Sequence, residues 1–164
     1  MAAPIITLVA ELKTQLEFYV GGTFERRNAP YFKREQVTAG KWIIVPAADE
    51  QAIRSRAGDR STLTIDVAYQ QALPDKTDAN PDPTENHSWF DARMATVEAV
   101  KNLFRGGGQG PLRNRVWTSS FYFQTMENAP IYRPDMIQDY QIFTSVIRLT
   151  FAGELAASAV SLPD

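Results

Sequence analysis

The segment Thr62-Leu63-Thr64-Ile65-Asp66-Val67-Ala68-Tyr69-Gln70 alternates without a break, with Leu63, Ile65, Val67 and Tyr69 on one side and Thr64, Asp66, Ala68 and Gln70 on the other. Successive side chains of a strand point to opposite faces, so a period of two predicts a β-strand with one apolar face. Ile142 to Phe151 repeats the pattern: Phe143, Ile147, Leu149 and Phe151 face one way, Thr144, Val146, Arg148 and Thr150 the other. Two shorter stretches add strands. Trp42-Ile43-Ile44-Val45, ended by Pro46, is an apolar run of the kind buried on both faces. Arg115 to Met126 is rich in aromatic and β-branched residues, with Trp117, Phe121 and Phe123 on one face.

Two segments read as helices. Ile5, Leu8, Val9, Leu12, Leu16 and Tyr19 recur at spacings of three and four, which places them on one stripe. Pro4 suits the first turn and Gly21-Gly22 the stop. Phe90, Met94, Val97, Val100 and Phe104 form a second stripe, after Ser88-Trp89-Phe90-Asp91, which has the form of a capping box. Lys101 and Arg105 lie where the helix dipole favours cations, and Gly106-Gly107-Gly108 ends the helix.

The connections are distinctive. Thr23 to Gln36 is a basic, aromatic stretch broken by Pro30 and is expected to be an extended arm or edge strand. Pro74 to Asn86 carries Pro74, Pro81 and Pro83 among acids and reads as a long loop. Pro130 and Pro134 build a turn before the last strand, and a small, Ala/Ser-rich tail from Gly153 to Asp164 is expected to be flexible. The order is helix, strands, long loop, helix, strands, within one domain spanning residues 1–164. Neither half has enough strands to be stable alone. The fold class is therefore α+β: one mixed, mostly antiparallel sheet of about four to five strands packed against two helices, with a long arm and long loops.

Composition narrows the function. Hydrophobic residues make up 44% of 164 and charged residues 22%, the balance of a globular chain. No stretch approaches the roughly 18–20 apolar residues of a membrane span, and no secretory signal is expected. There are no cysteines, which removes thiolate metal sites and cysteine nucleophiles and fits a reducing compartment. The net charge of −2 supplies no bulk attraction to nucleic acid. The charges are nevertheless segregated. Asp75, Asp78, Asp82, Glu85 and Asp91 meet only Lys76 in one stretch, while Arg105, Arg113 and Arg115 stand without an acid in another.

Catalytic patterns are missing. His87 is the only histidine and sits among Asp82, Glu85 and Asp91, where a surface role outweighs a metal-ligand or general-base role. Gly106-Gly107-Gly108-Gln109-Gly110 suggests a phosphate loop but follows a helix instead of opening one, and no Lys-Ser/Thr pair completes it. Trp117, Phe121 and Phe123 could stack bases, yet alternating strand aromatics usually form core. No enzyme activity, metal or cofactor is expected.

The closing segment from Tyr132-Arg133-Pro134-Asp135 to Phe143-Thr144-Ser145-Val146-Ile147-Arg148-Leu149-Thr150-Phe151 resembles that of tailed-phage tail terminator and tail completion proteins. There a Pro-acid turn precedes a Phe-x-Ser-x-aliphatic-x-aliphatic-x-aromatic strand. The opening helix, with Ile6-Thr7-Leu8-Val9-Ala10-Glu11-Leu12, and the element order are similar too. The Gly106–Gly110 connector and the proline-rich loop depart from the pattern.

The resemblance implies a virion structural protein, assembled in the host cytoplasm, that forms a ring with copies of itself, usually a hexamer. The ring caps the last ring of tail tube protein, stops tail growth and presents a surface to the capsid connector. DNA passes through its lumen without specific binding. Another neck, head-completion or baseplate subunit, or a small binding module or unrecognised enzyme, remain the alternatives. Head-to-tail contact within a ring suits patches of opposite sign. The candidate interface residues are Arg26, Arg27, Lys33 and Arg34 on the arm, Arg105, Arg113 and Arg115 on the basic run, and Asp75, Asp78, Asp82 and Glu85 on the acidic loop.

Overall fold

The computed structural model describes residues 3–29, 31–55, 58–107, 110–118 and 120–156. Phe24–Arg26 (β1), Lys41–Ser55 (β2), Gly58–Ala72 (β3), Val116–Trp117 (β4), Phe121–Glu127 (β5) and Ile142–Ala156 (β6) form one sheet in the order β1-β2-β3-β6-β5-β4. Every pairing is antiparallel except that of β1 with β2. The alternating segment lies at the centre: β3 pairs along its length with β2 on one side and β6 on the other, so both halves of the chain share the sheet. The architecture is α+β, with six strands where the sequence indicated four to five. The excess is β1 and β4, three and two residues long, too short to display a period.

Pro4–Val20 (α1) and His87–Asn102 (α2) cover the face that carries Leu63, Ile65, Val67, Tyr69, Phe143, Ile147, Leu149 and Phe151. From α1 come Leu8, Val9, Leu12 and Leu16, and from α2 Phe90, Val97 and Val100. Side chains of this size each gain about 1.5–3 kcal/mol from full burial, so this face dominates the stability. Tyr19, read as part of the buried stripe, is instead exposed beside Phe18 on the last turn of α1. Gly21, at φ +78°, then ends the helix in a conformation that side chains with a Cβ disfavour.

Other boundaries move for identifiable reasons. The cap of α2 is Asn86, whose side chain accepts the Trp89 N–H at 3.2 Å, and Ser88 lies inside the first turn. Pro46 does not end β2; a bulge between Pro46 and Ala48 absorbs it, beyond the residues that β1 pairs. Pro134 opens a short helix, Pro134–Tyr140 (α3), in place of a turn. The segment from Gly153 to Ala156 is not tail: it continues β6 against β3. Residues 157–164, together with Pro30, Gly108 and Gln109, lie outside the described residues.

The other face of the sheet holds a second, smaller cluster. Ile43, Val45, Ala68, Ala72 and Ile142 are covered by Phe32 and Val37 from the segment between β1 and β2. Buried Gln70 fixes this cover, since its Oε1 accepts the Phe32 N–H and its Nε2 donates to Thr144 Oγ1, each at 3.0 Å. The expected arm is therefore an edge strand followed by a docked flap, which includes a short 3₁₀ turn at Arg34–Gln36. Trp42 and Ile44 face the main core while Ile43 and Val45 face this cluster, as a run buried on both faces requires.

Candidate functional site

The arm and the acidic loop, assigned above to separate patches, adjoin. Arg34 donates to the Leu73 carbonyl at 3.1 Å and to Asp75 at 2.8 Å, so one cation of the arm and one acid of the loop pair within a single chain. Arg27 lies 4.0 Å over the Phe32 ring, which orients it along the flap. Arg26 and Lys33 are exposed and, among the described residues, make no ion pair. In the loop, Thr77 and Asn80 close a small turn that leaves Asp78 in solvent. Asp82 accepts from the Thr84 hydroxyl at 2.6 Å and from its N–H at 3.0 Å, capping the 3₁₀ turn Pro83–Glu85. These hydrogen bonds, the hydroxyl's first, hold the Asp82 carboxyl below its ordinary range.

The basic run divides in the same way. Arg105 pairs with Glu98 on α2. Arg115 grips Glu11 of α1 through Nε and Nη2, at 3.2 and 2.8 Å, while the other Glu11 oxygen accepts the Thr118 N–H at 2.8 Å. This cluster locks the start of β4 to α1, so Arg115 is part of the fold. Arg113 is different: exposed, it donates to the Phe104 carbonyl at 3.3 Å and stands 6.0 Å from the Phe123 ring beside β5. Arg26, Lys33, Asp78 and Arg113 are thus the candidates most available to a partner.

A charged cluster on the open part of the second face was not singled out from the sequence. Arg148 of β6 holds Asp66 of β3 bidentately at 2.9 and 3.0 Å, and this contact raises its pKa. Arg133 binds Asp135 at 3.2 and 2.9 Å and donates to Tyr31 Oη at 2.7 Å. The Arg133 contact holds the Asp135 carboxyl below its ordinary range. Tyr31, Asp66, Glu127, Arg133 and Arg148 line a cavity of about 260 Å³. Asp66 and Arg148 occupy the polar sides of the two alternating segments; only their register, Asp66 opposite Arg148, reveals the pair. Exposed Tyr31, Ile131 and Tyr140 lie around this end of the molecule.

His87 is exposed, 3.7 Å from Glu85, beside a groove floored by Phe90 and Ile137. Among the described residues no three His, Cys, Asp or Glu side chains are placed to hold a metal ion. No described helix is long and apolar enough to cross a membrane. The arrangement offers exposed charged and aromatic side chains around the sheet. Compared with known proteins, the chain matches no family model and no curated sequence.

Proposed function

We propose that this protein is a structural subunit of a phage virion that assembles into a ring, with a hexamer as the expected form, at the head-proximal end of the tail. There it stops growth of the tail tube and presents a surface to the head connector, while DNA passes through the lumen without specific contacts. The observation that carries this reading is the closing segment. Its Pro-acid sequence opens α3, and its alternating strand is β6, the strand through which β5 and β3 join one sheet. The resemblance thus rests on residues that build the centre of the fold, not on a peripheral loop.

The charged groups left to solvent, Arg26, Lys33, Asp78 and Arg113, suit contacts between subunits that are polar at the rim and sensitive to salt. The deciding experiment is native mass measurement of the purified protein, alone and mixed with isolated tail tubes. A ring that binds one end of the tubes and halts their extension supports the assignment. A monomer that leaves tube length unchanged in the mixture removes it.

A further inference from the structure

We infer that subunits join edge to edge, with the outer edge of β2 in one copy taking the outer edge of β5 in the next to extend the sheet. The inference rests on the ring reading above and names the surfaces that close the ring. Beyond Ile44, whose carbonyl accepts the Arg27 N–H at 3.0 Å, nothing among the described residues pairs with the outer side of β2. Asp49, Glu50, Gln51 and Ala52 there are exposed. On the far side of the sheet β4 covers only Phe121 and Tyr122, so that among the described residues nothing pairs with the outer side of β5 from Phe123 to Glu127. Unpaired strand edges offer main-chain donors and acceptors ready for another strand.

Three features make these two edges partners for each other. They lie at the same height: Asp49, Leu63, Phe151 and Phe123 form one row across the sheet, and Pro46, Ile65, Leu149 and Met126 another. They also run in opposite senses, because each of the three steps from β2 through β3 and β6 to β5 is antiparallel. A second copy set alongside in the same orientation therefore presents β5 antiparallel to β2. Finally, the charges match. Arg113 stands over Phe123 at the β5 edge, and Asp49 lies in the same row at the β2 edge, with Glu50 next to it. Pairing β2 with its own copy would instead oppose acid to acid. The joint is thus heterologous, and repeated around an axis it closes a ring.

The test uses two charge reversals, Asp49→Arg and Arg113→Asp, in the full chain. Each variant alone opposes like charges at every joint, and its ring fraction by native mass measurement should fall about tenfold or more below that of the unmodified protein. An equimolar mixture should recover rings, because alternating copies then oppose unlike charges. Rings from each variant alone at the normal level would overturn the edge joint while leaving the ring reading standing. So would a mixture of folded variants that fails to recover. A monomeric unmodified protein would overturn both. Asp49 also accepts from the buried Ser61 hydroxyl at 2.9 Å, so a second measurement uses no variant. Amide hydrogen exchange at Ala47–Ala52 and Phe123–Glu127 should slow in the assembled protein relative to dilute subunits. Unchanged exchange at both edges would sink the inference.

Discussion

The two faces of the sheet are closed by different means. The helix side is a continuous apolar wall, with Leu63, Ile65, Val67, Ile147, Leu149 and Phe151 fully buried under α1 and α2. Among the described residues the opposite side is closed only at one end, by Phe32 and Val37 of the flap, and stays charged at the other, where Arg148 meets Asp66. Stability therefore resides mainly on one face, and the second face combines a small clip with exposed charge. The first way to break this comparison is Leu149→Ala. Truncating a fully buried side chain in the main core should cost roughly 2–5 kcal/mol, read as a lower midpoint in denaturant unfolding. A negligible change would mean that the helix side does not dominate.

Phe32→Ala probes the other face. Its cluster is small and covers one end of this face, so the cost should be about 1–3 kcal/mol, below the usual range for a core phenylalanine. Proteolysis between Tyr31 and Gly40 should accelerate far more than global unfolding does, because the flap loses its anchor while the helix-side core remains. Equal acceleration throughout the chain would show the two faces to be one cooperative unit.

The sequence made the helix side legible because the period of two in β3 and β6 and the helical stripes of α1 and α2 all point to the same wall. The flap was concealed by its composition. Phe32 and Val37 are two apolar anchors among Lys33, Arg34, Glu35 and Gln36, and no period marks them. Its fastening depends on Gln70, which the alternation assigns to the polar side and which is buried only because the flap covers it. Surface charge was legible as segregation along the chain but not as geometry. Arg34 with Asp75 and Arg115 with Glu11 are separated by 41 and 104 residues and meet only after folding.

That geometry separates two arginines that look equivalent in sequence. Arg115→Glu places a carboxylate against Glu11 and should destabilise the subunit by about 1–2 kcal/mol, since the partly buried cluster also orders the Thr118 N–H. Arg113→Glu should change subunit stability by no more than about 0.5 kcal/mol, because the side chain is exposed. Thermal melts of both variants at a concentration where only subunits are present would check the ranking. Equal losses would place Arg113 in the fold and weaken its assignment to an interface.

The smallest effect expected distinguishes the faces by pH. On the helix side, α1 is tied to β1 by Glu17, which accepts from Lys13 and from the Phe24 N–H at 2.9 Å. The Lys13 hydrogen bond, followed by that from Phe24, holds the Glu17 carboxyl below its ordinary range in the folded chain. As pH falls, the unfolded chain therefore takes up this proton first. The stabilisation is fully present above the ordinary carboxylate range and is lost as pH drops through the lower folded value. The flap's tie, Gln70, is an amide and does not titrate. The Tm difference between the protein and its Glu17→Gln variant should accordingly be constant near neutral pH and shrink on acidification. The corresponding difference for Gln70→Ala should persist across the same range. If the Glu17→Gln difference failed to shrink, the tie would depend on the shape of the side chain rather than its charge, and the two faces would be fastened in the same way.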